Sequence, residues 1–200
     1  MPLNLPILLT WLRIILIPLI VGVFYVPHSS LSVYEQNLAA ALIFVLAALT
    51  DWFDGFLARK LNQTSAFGAF LDPVADKLMV TAALLVLVQL GRINAAIALV
   101  IVGREITISA LREWMARIGA SKSVAVNSLG KIKTVCQMVA IPMLLLDGPL
   151  RIGRFTLLDF IDTRLWGEWL IYLAAVLTIW SMLYYMKLAW PQIREKSGRL

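Results

Sequence analysis

Six stretches of the chain are almost continuously apolar: residues 7–26, 38–61, 67–90, 93–115, 129–146 and 166–188. Each falls within or close to the roughly 20 residues that an α-helix needs to cross a bilayer core. The pattern predicts an all-α integral membrane protein, a bundle of six transmembrane helices. It forms a single membrane domain over 1–190, followed by a basic tail over 191–200.

One stretch interrupts this pattern. Residues 51–76, DWFDGFLARKLNQTSAFGAFLDPVAD, carry four carboxylates between two apolar runs. An Asp at the centre of a membrane helix costs roughly 2.5–3.5 kcal/mol on insertion scales, so such groups mark a cavity or an ion. Asp51 and Asp54 are three residues apart and Asp72 and Asp76 four apart, so each pair shares a helix face. The polar break Asn62-Gln63-Thr64-Ser65 makes the segment a helix, a turn and a helix. At ~1.5 Å per residue both pairs lie ~15 Å from the turn, and they face each other if the helices pack antiparallel. An all-carboxylate cluster without Cys or His suits hard cations, Mg²⁺ or Mn²⁺, and four acids leave charge for two such ions and the phosphate oxygens they hold. Gly55 lets a ligand approach the backbone, and Arg59, one turn on, can fork onto a phosphate.

These residues resemble the CDP-alcohol phosphotransferase signature, D-x-x-D-G-x-x-A-R, eight residues, then G-x-x-x-D-x-x-x-D. Asp51, Asp54, Gly55, Ala58, Arg59, Gly68, Asp72 and Asp76 fill it without departure. A divalent-cation transporter would also use membrane carboxylates. It would tend to repeat them in two halves of the chain, whereas here they are confined to one hairpin.

Composition agrees with a membrane chain: 60% of residues are hydrophobic and 15% charged, against about 25% charged in soluble domains. The net charge of +6 bears on topology rather than on nucleic acid. With a cytoplasmic N-terminus, 14 of the 18 Lys and Arg lie at cytoplasmic helix ends, leaving Arg92, Arg151, Arg154 and Arg164 opposite. That asymmetry places both termini and the acidic cluster at the cytoplasmic face. The start, MPLNLPILLTWLR, has no basic segment before its apolar run and reads as retained structure rather than a signal peptide. Cys136 reads as packing and His28 as a loop residue.

Two further segments carry polar groups in apolar surroundings. In the first, Asn4, Pro6, Thr10 and Arg13 read either as an interfacial anchor with a snorkelling arginine or as part of a nucleotide site. In the fourth, GREITISALREWMARIG, Arg104 and Arg112 are eight residues apart on one face, ~12 Å between Cα atoms, and an anion would satisfy both. The alternative is pairing with Glu105, Glu113 or the Asp cluster, although i, i+1 neighbours such as Arg104 and Glu105 do not face each other. Lys131 follows Gly130 at the start of the fifth helix, where backbone N–H groups favour an anion.

The family resemblance implies roles for these positions. The donor is CDP-diacylglycerol, its pyrophosphate bridging two divalent cations held by Asp51, Asp54, Asp72 and Asp76. Gly55, Ala58, Arg59, Ser65, Gly68, Thr10 and Arg13 surround the donor. Arg104, Arg112 and Lys131 hold the phosphate of an acceptor, sn-glycerol 3-phosphate, and Asp76 is the general base. The resemblance further implies phospholipid biosynthesis by a homodimer in a bacterial inner membrane, with other acceptor alcohols as the alternative.

Overall fold

A computed structural model of the chain describes residues 5–60, 66–117, 119, 128–148, 151–152, 155–156 and 162–197. Six helices follow one another: α1 (Leu5–Gly22), α2 (Val33–Lys60), α3 (Ala66–Gln89), α4 (Ala95–Arg117), α5 (Ser128–Leu146) and α6 (Thr163–Ser197). A 3₁₀ turn, Val23–Tyr25, ends the first of them. Two-residue strands β1 (Arg151–Ile152) and β2 (Phe155–Thr156) pair antiparallel between α5 and α6, a departure from the purely helical expectation.

Helix ends differ from the apolar runs where polar residues do local work. The second helix begins at Val33 rather than near 38 because Ser32 and Glu35 cap it reciprocally. The Ser32 hydroxyl accepts from the Glu35 N–H at 3.3 Å, and Glu35 Oε2 accepts from the Ser32 N–H at 2.8 Å. The last helix runs as one piece through Pro191 to Ser197, across the boundary placed after 190.

Three helices are long and apolar enough to cross a membrane among the described residues: Ile7–Tyr25, Val33–Phe53 and Thr163–Pro191. The expectation from the sequence was six. The third and fourth helices place Asp72, Asp76 and Lys77, and Arg104, Glu105 and Arg112, inside their apolar runs, which lowers their mean hydropathy. Large apolar side chains stand exposed along α6, among them Trp169, Val176, Trp180 and Leu183. Water-soluble monomers rarely present apolar surface on this scale, in keeping with a membrane protein.

The arrangement of helices positions the site. The first helix packs along both α2 and α3, while α2 and α3 touch each other only briefly. On the other side of the bundle α5 packs extensively on α6 and also on α2, and α4 leans on α6. Phe44, Leu84, Leu87, Ile101, Ile141 and Leu144 fill the main core, and Ile108, Leu111, Met115, Tyr185 and Ala189 form a smaller one between α4 and α6. Gly167 lets α6 close on α5: a Cβ there would lie 2.8 Å from Leu144 Cγ.

The end of the bundle remote from the acidic segment is tied by Arg92. Its guanidinium donates to the carbonyls of Leu144 and Leu145, at 3.1 and 2.6 Å, and to Asn37 Oδ1 at 2.7 Å. It also pairs with Asp147 at 3.2 Å. One side chain thus satisfies the orphan carbonyls at the end of α5 and links it to α2. Arg92→Met is expected to cost about 3 kcal/mol of stability, read as a lower thermal midpoint in detergent. A loss below about 1 kcal/mol would mean that these groups find water instead.

Candidate active site

The acidic segment is organised by α1. Thr10 and Arg13, three residues apart, reach in two directions from one helix. Arg13 is almost fully buried and pairs with Asp51 of α2, Nη1 to Oδ1 at 2.8 Å. The Thr10 hydroxyl donates to Asp72 Oδ1 of α3 at 2.6 Å. Asp76, one turn beyond Asp72, is accessible and within electrostatic reach of both Asp51 and Arg13. Among the described residues the two acidic helices are joined mainly through the first helix. Thr10 and Arg13 lie inside, on carboxylates, while Trp11 faces outward.

The backbone of Asp54, Gly55, Ala58 and Arg59 continues α2, and their side chains lie outside the described residues, as does Ser65 altogether. Gly68 is half-buried in the first turn of α3. Among the described residues no three His, Cys, Asp or Glu side chains group closely enough to hold a metal ion. The donor chemistry fits a hard divalent cation all the same, since what converges here is carboxylate and hydroxyl oxygen with neither thiol nor imidazole.

A second polar cluster lies between α4, α5 and α6. Arg104 is buried and pairs with Glu105 Oε1 at 3.0 Å, and its other amino group reaches Ser181 Oγ of α6 at 3.4 Å. Lys133 of α5, with no exposed surface, donates to the same Glu105 oxygen. This corrects the argument that adjacent residues cannot pair: that rule describes Cβ directions, and a long arginine chain can curl sideways to a carboxylate held by a third partner. The Arg112 guanidinium lies over the Tyr185 ring, 5.4 Å from its centroid, and its Nε is buried without a hydrogen-bond partner among the described residues, as is that of Arg104. Three cations against one carboxylate leave this layer with an excess of two positive charges, the complement of a phosphate monoester.

Lys131, singled out from the sequence, is exposed, whereas Lys133 points inward. Two residues apart on a helix are on nearly opposite faces, so only one of the pair can face the bundle. The sequence carried no signal that chose between them, because both follow Gly130 in the same basic run. Gln137, one turn beyond Lys133, was likewise not singled out; it is buried and lines a cavity beside Asp76.

Comparison with known proteins bears on this arrangement. Residues 3–180 match the family model described as CDP-alcohol phosphatidyltransferase. A protein of Escherichia coli named CDP-diacylglycerol–glycerol-3-phosphate 3-phosphatidyltransferase is 47% identical over 195 residues, covering 94% of this chain and 96% of its own length. Proteins of the same name from Shigella flexneri and Shigella sonnei match with the same identity and coverage.

Proposed function

Since the chain belongs to the CDP-alcohol phosphatidyltransferase family, we propose that it transfers the phosphatidyl group of CDP-diacylglycerol to sn-glycerol 3-phosphate, giving phosphatidylglycerophosphate and CMP. The observation that carries this reading is the pair of polar contacts from α1 that tie Asp51 and Asp72 together beside Asp76. A relative 47% identical across the chain bears the name of this activity.

The reaction asks for positioning and for charge neutralisation at a pyrophosphate. The primary hydroxyl of the acceptor attacks the phosphorus that carries diacylglycerol. The bond from that phosphorus to the oxygen bridging towards cytidine monophosphate breaks, and CMP departs with the electron pair. The proton of the attacking hydroxyl passes to Asp76, the only one of the described acids that also borders the enclosed cavity with Glu105. Asp51, Asp54, Asp72 and Asp76 would hold two divalent cations, Mg²⁺ or Mn²⁺, which when bound offset the charge of the pyrophosphate. Arg13 keeps Asp51 in place, and Thr10 does the same for Asp72. Gly55, Ala58, Arg59 and Gly68 line the donor side by the signature they fill, and Ser65 joins them by family resemblance. On the acceptor side, Arg104 supplies a buried guanidinium and Arg112 a half-buried one for the phosphate, with the exposed Lys131 beside them.

The donor is amphiphilic, which accounts for a polar site carried by helices with lipid-facing apolar surfaces. Six spans with both termini cytoplasmic, in a bacterial inner membrane, agree with 14 of the 18 Lys and Arg falling on one side. That topology opens the site where nucleotides are found. A homodimer completes the reading by family resemblance.

The test follows labelled CMP release by the purified protein in mixed micelles containing CDP-diacylglycerol, with glycerol 3-phosphate, glycerol or phosphatidylglycerol as acceptor. Release that requires glycerol 3-phosphate, falls at least about 100-fold on chelation of divalent cations and returns with Mg²⁺ or Mn²⁺ is the expected result. Release driven equally by glycerol would move the chain to another acceptor class, and release indifferent to chelation would remove the cations from the reading.

A further inference from the structure

Between α3, α4 and α5 lies a largely enclosed cavity of about 90 Å³, bordered by Asp76, Lys77, Thr81, Glu105, Thr134 and Gln137 with a few apolar side chains. It has room for several water molecules or for a three-carbon polyol. Its hydrogen-bonding character is lopsided. The hydroxyls of Thr81 and Thr134 donate back to the carbonyls of Lys77 and Gly130, at 2.7 and 2.9 Å, and so offer only lone pairs to the cavity. Asp76 and Glu105 are acceptors as carboxylates, and Glu105 Oε1 is already bound by Arg104 and Lys133.

Gln137 stands apart in this wall. Its residue surface is 4% exposed, and it borders the cavity. A side-chain amide at a cavity wall is completed by a ligand or by water. It is also the one neutral side chain of the wall that can both donate and accept, which is what a hydroxyl requires of its neighbour. A phosphate would meet two carboxylates against the single ammonium of Lys77, a wall of net negative charge that disfavours it. A carbinol would donate to the carboxylates and accept from the amide.

The geometry points to Gln137 as the residue that reads the secondary hydroxyl of the acceptor. The acceptor's primary hydroxyl lies against Asp76, its C2 hydroxyl against the Gln137 amide, and its phosphate outside the cavity on the cationic layer of α4. Lys133, one turn before Gln137, anchors Glu105 and so keeps the opposite wall in place. This assignment rests on the acceptor reading above and adds the element that tells a three-carbon polyol phosphate from one lacking the middle hydroxyl.

The experiment compares glycerol 3-phosphate with propane-1,3-diol monophosphate, which keeps the attacking hydroxyl and the phosphate but lacks the C2 hydroxyl. For the unmodified protein kcat/KM is expected to favour glycerol 3-phosphate by roughly 30-fold, the scale of one buried hydrogen bond left unmade. In Gln137→Leu the ratio is expected to fall to within about threefold, chiefly through loss on glycerol 3-phosphate. Because the ratio does not depend on how much protein is folded, a purely structural role would lower both acceptors together and leave it unchanged. An unchanged ratio in Gln137→Leu, or no discrimination by the unmodified protein, overturns the assignment. Failure of the unmodified protein to release CMP with either acceptor would instead sink the phosphatidyl-transfer reading.

Discussion

Asp76→Asn is expected to lower CMP release by about 10³-fold while changing the binding of CDP-diacylglycerol by no more than about threefold. The substitution keeps the size of the side chain and one oxygen, but removes its ability to take up a proton. Asp76 is the described carboxylate that belongs to both halves of the site: it senses Asp51 and Arg13 on one side and borders the cavity with Glu105 and Gln137 on the other. Asp51 and Asp72 differ, because each is already engaged by a side chain of α1. Single-turnover release of CMP, alongside equilibrium binding of the donor, separates the roles. Near-normal release by the variant would deny Asp76 the proton, and a parallel loss of donor binding would make it a holding group.

Arg112→Ala is expected to raise the acceptor KM by roughly 30–100-fold with the donor KM within about threefold of its starting value. The guanidinium of Arg112 lies over the Tyr185 ring, 5.4 Å from its centroid, and its buried Nε has no hydrogen-bond partner among the described residues. Arg104 is more heavily committed, to Glu105 and to Ser181, so its loss would mix binding with repacking of three helices. Initial rates at varied glycerol 3-phosphate and fixed donor measure the effect. An acceptor KM that does not move would assign Arg112 to the packing of α4 against α6, where Ile108, Leu111 and Tyr185 already meet.

Much of the molecule was legible along the chain. The apolar runs located all six helices to within a few residues, apart from the start of α2 and the end of α6. The spacing of Asp51, Asp54, Asp72 and Asp76 placed each acidic pair on one helical face before any fold was known. The signature they fill led to the family that the whole-chain comparison shows. These are properties of order and spacing, and a helix carries them wherever it packs.

Which face turns towards which neighbour is decided only when all the helices pack at once. Nothing in the order of residues said that α1 would lodge against both acidic helices and set Arg13 on Asp51 and Thr10 on Asp72. The inward turn of Lys133 rather than Lys131, the pairing of Arg104 with its own neighbour, and the place of Gln137 on the cavity wall belong to the same kind of fact. A period of 3.6 residues defines a stripe, but the rotation of each helix about its axis comes from the contacts of several others. The chain order therefore determined the elements and the chemistry they carry, and the tertiary structure decided which of those groups meet.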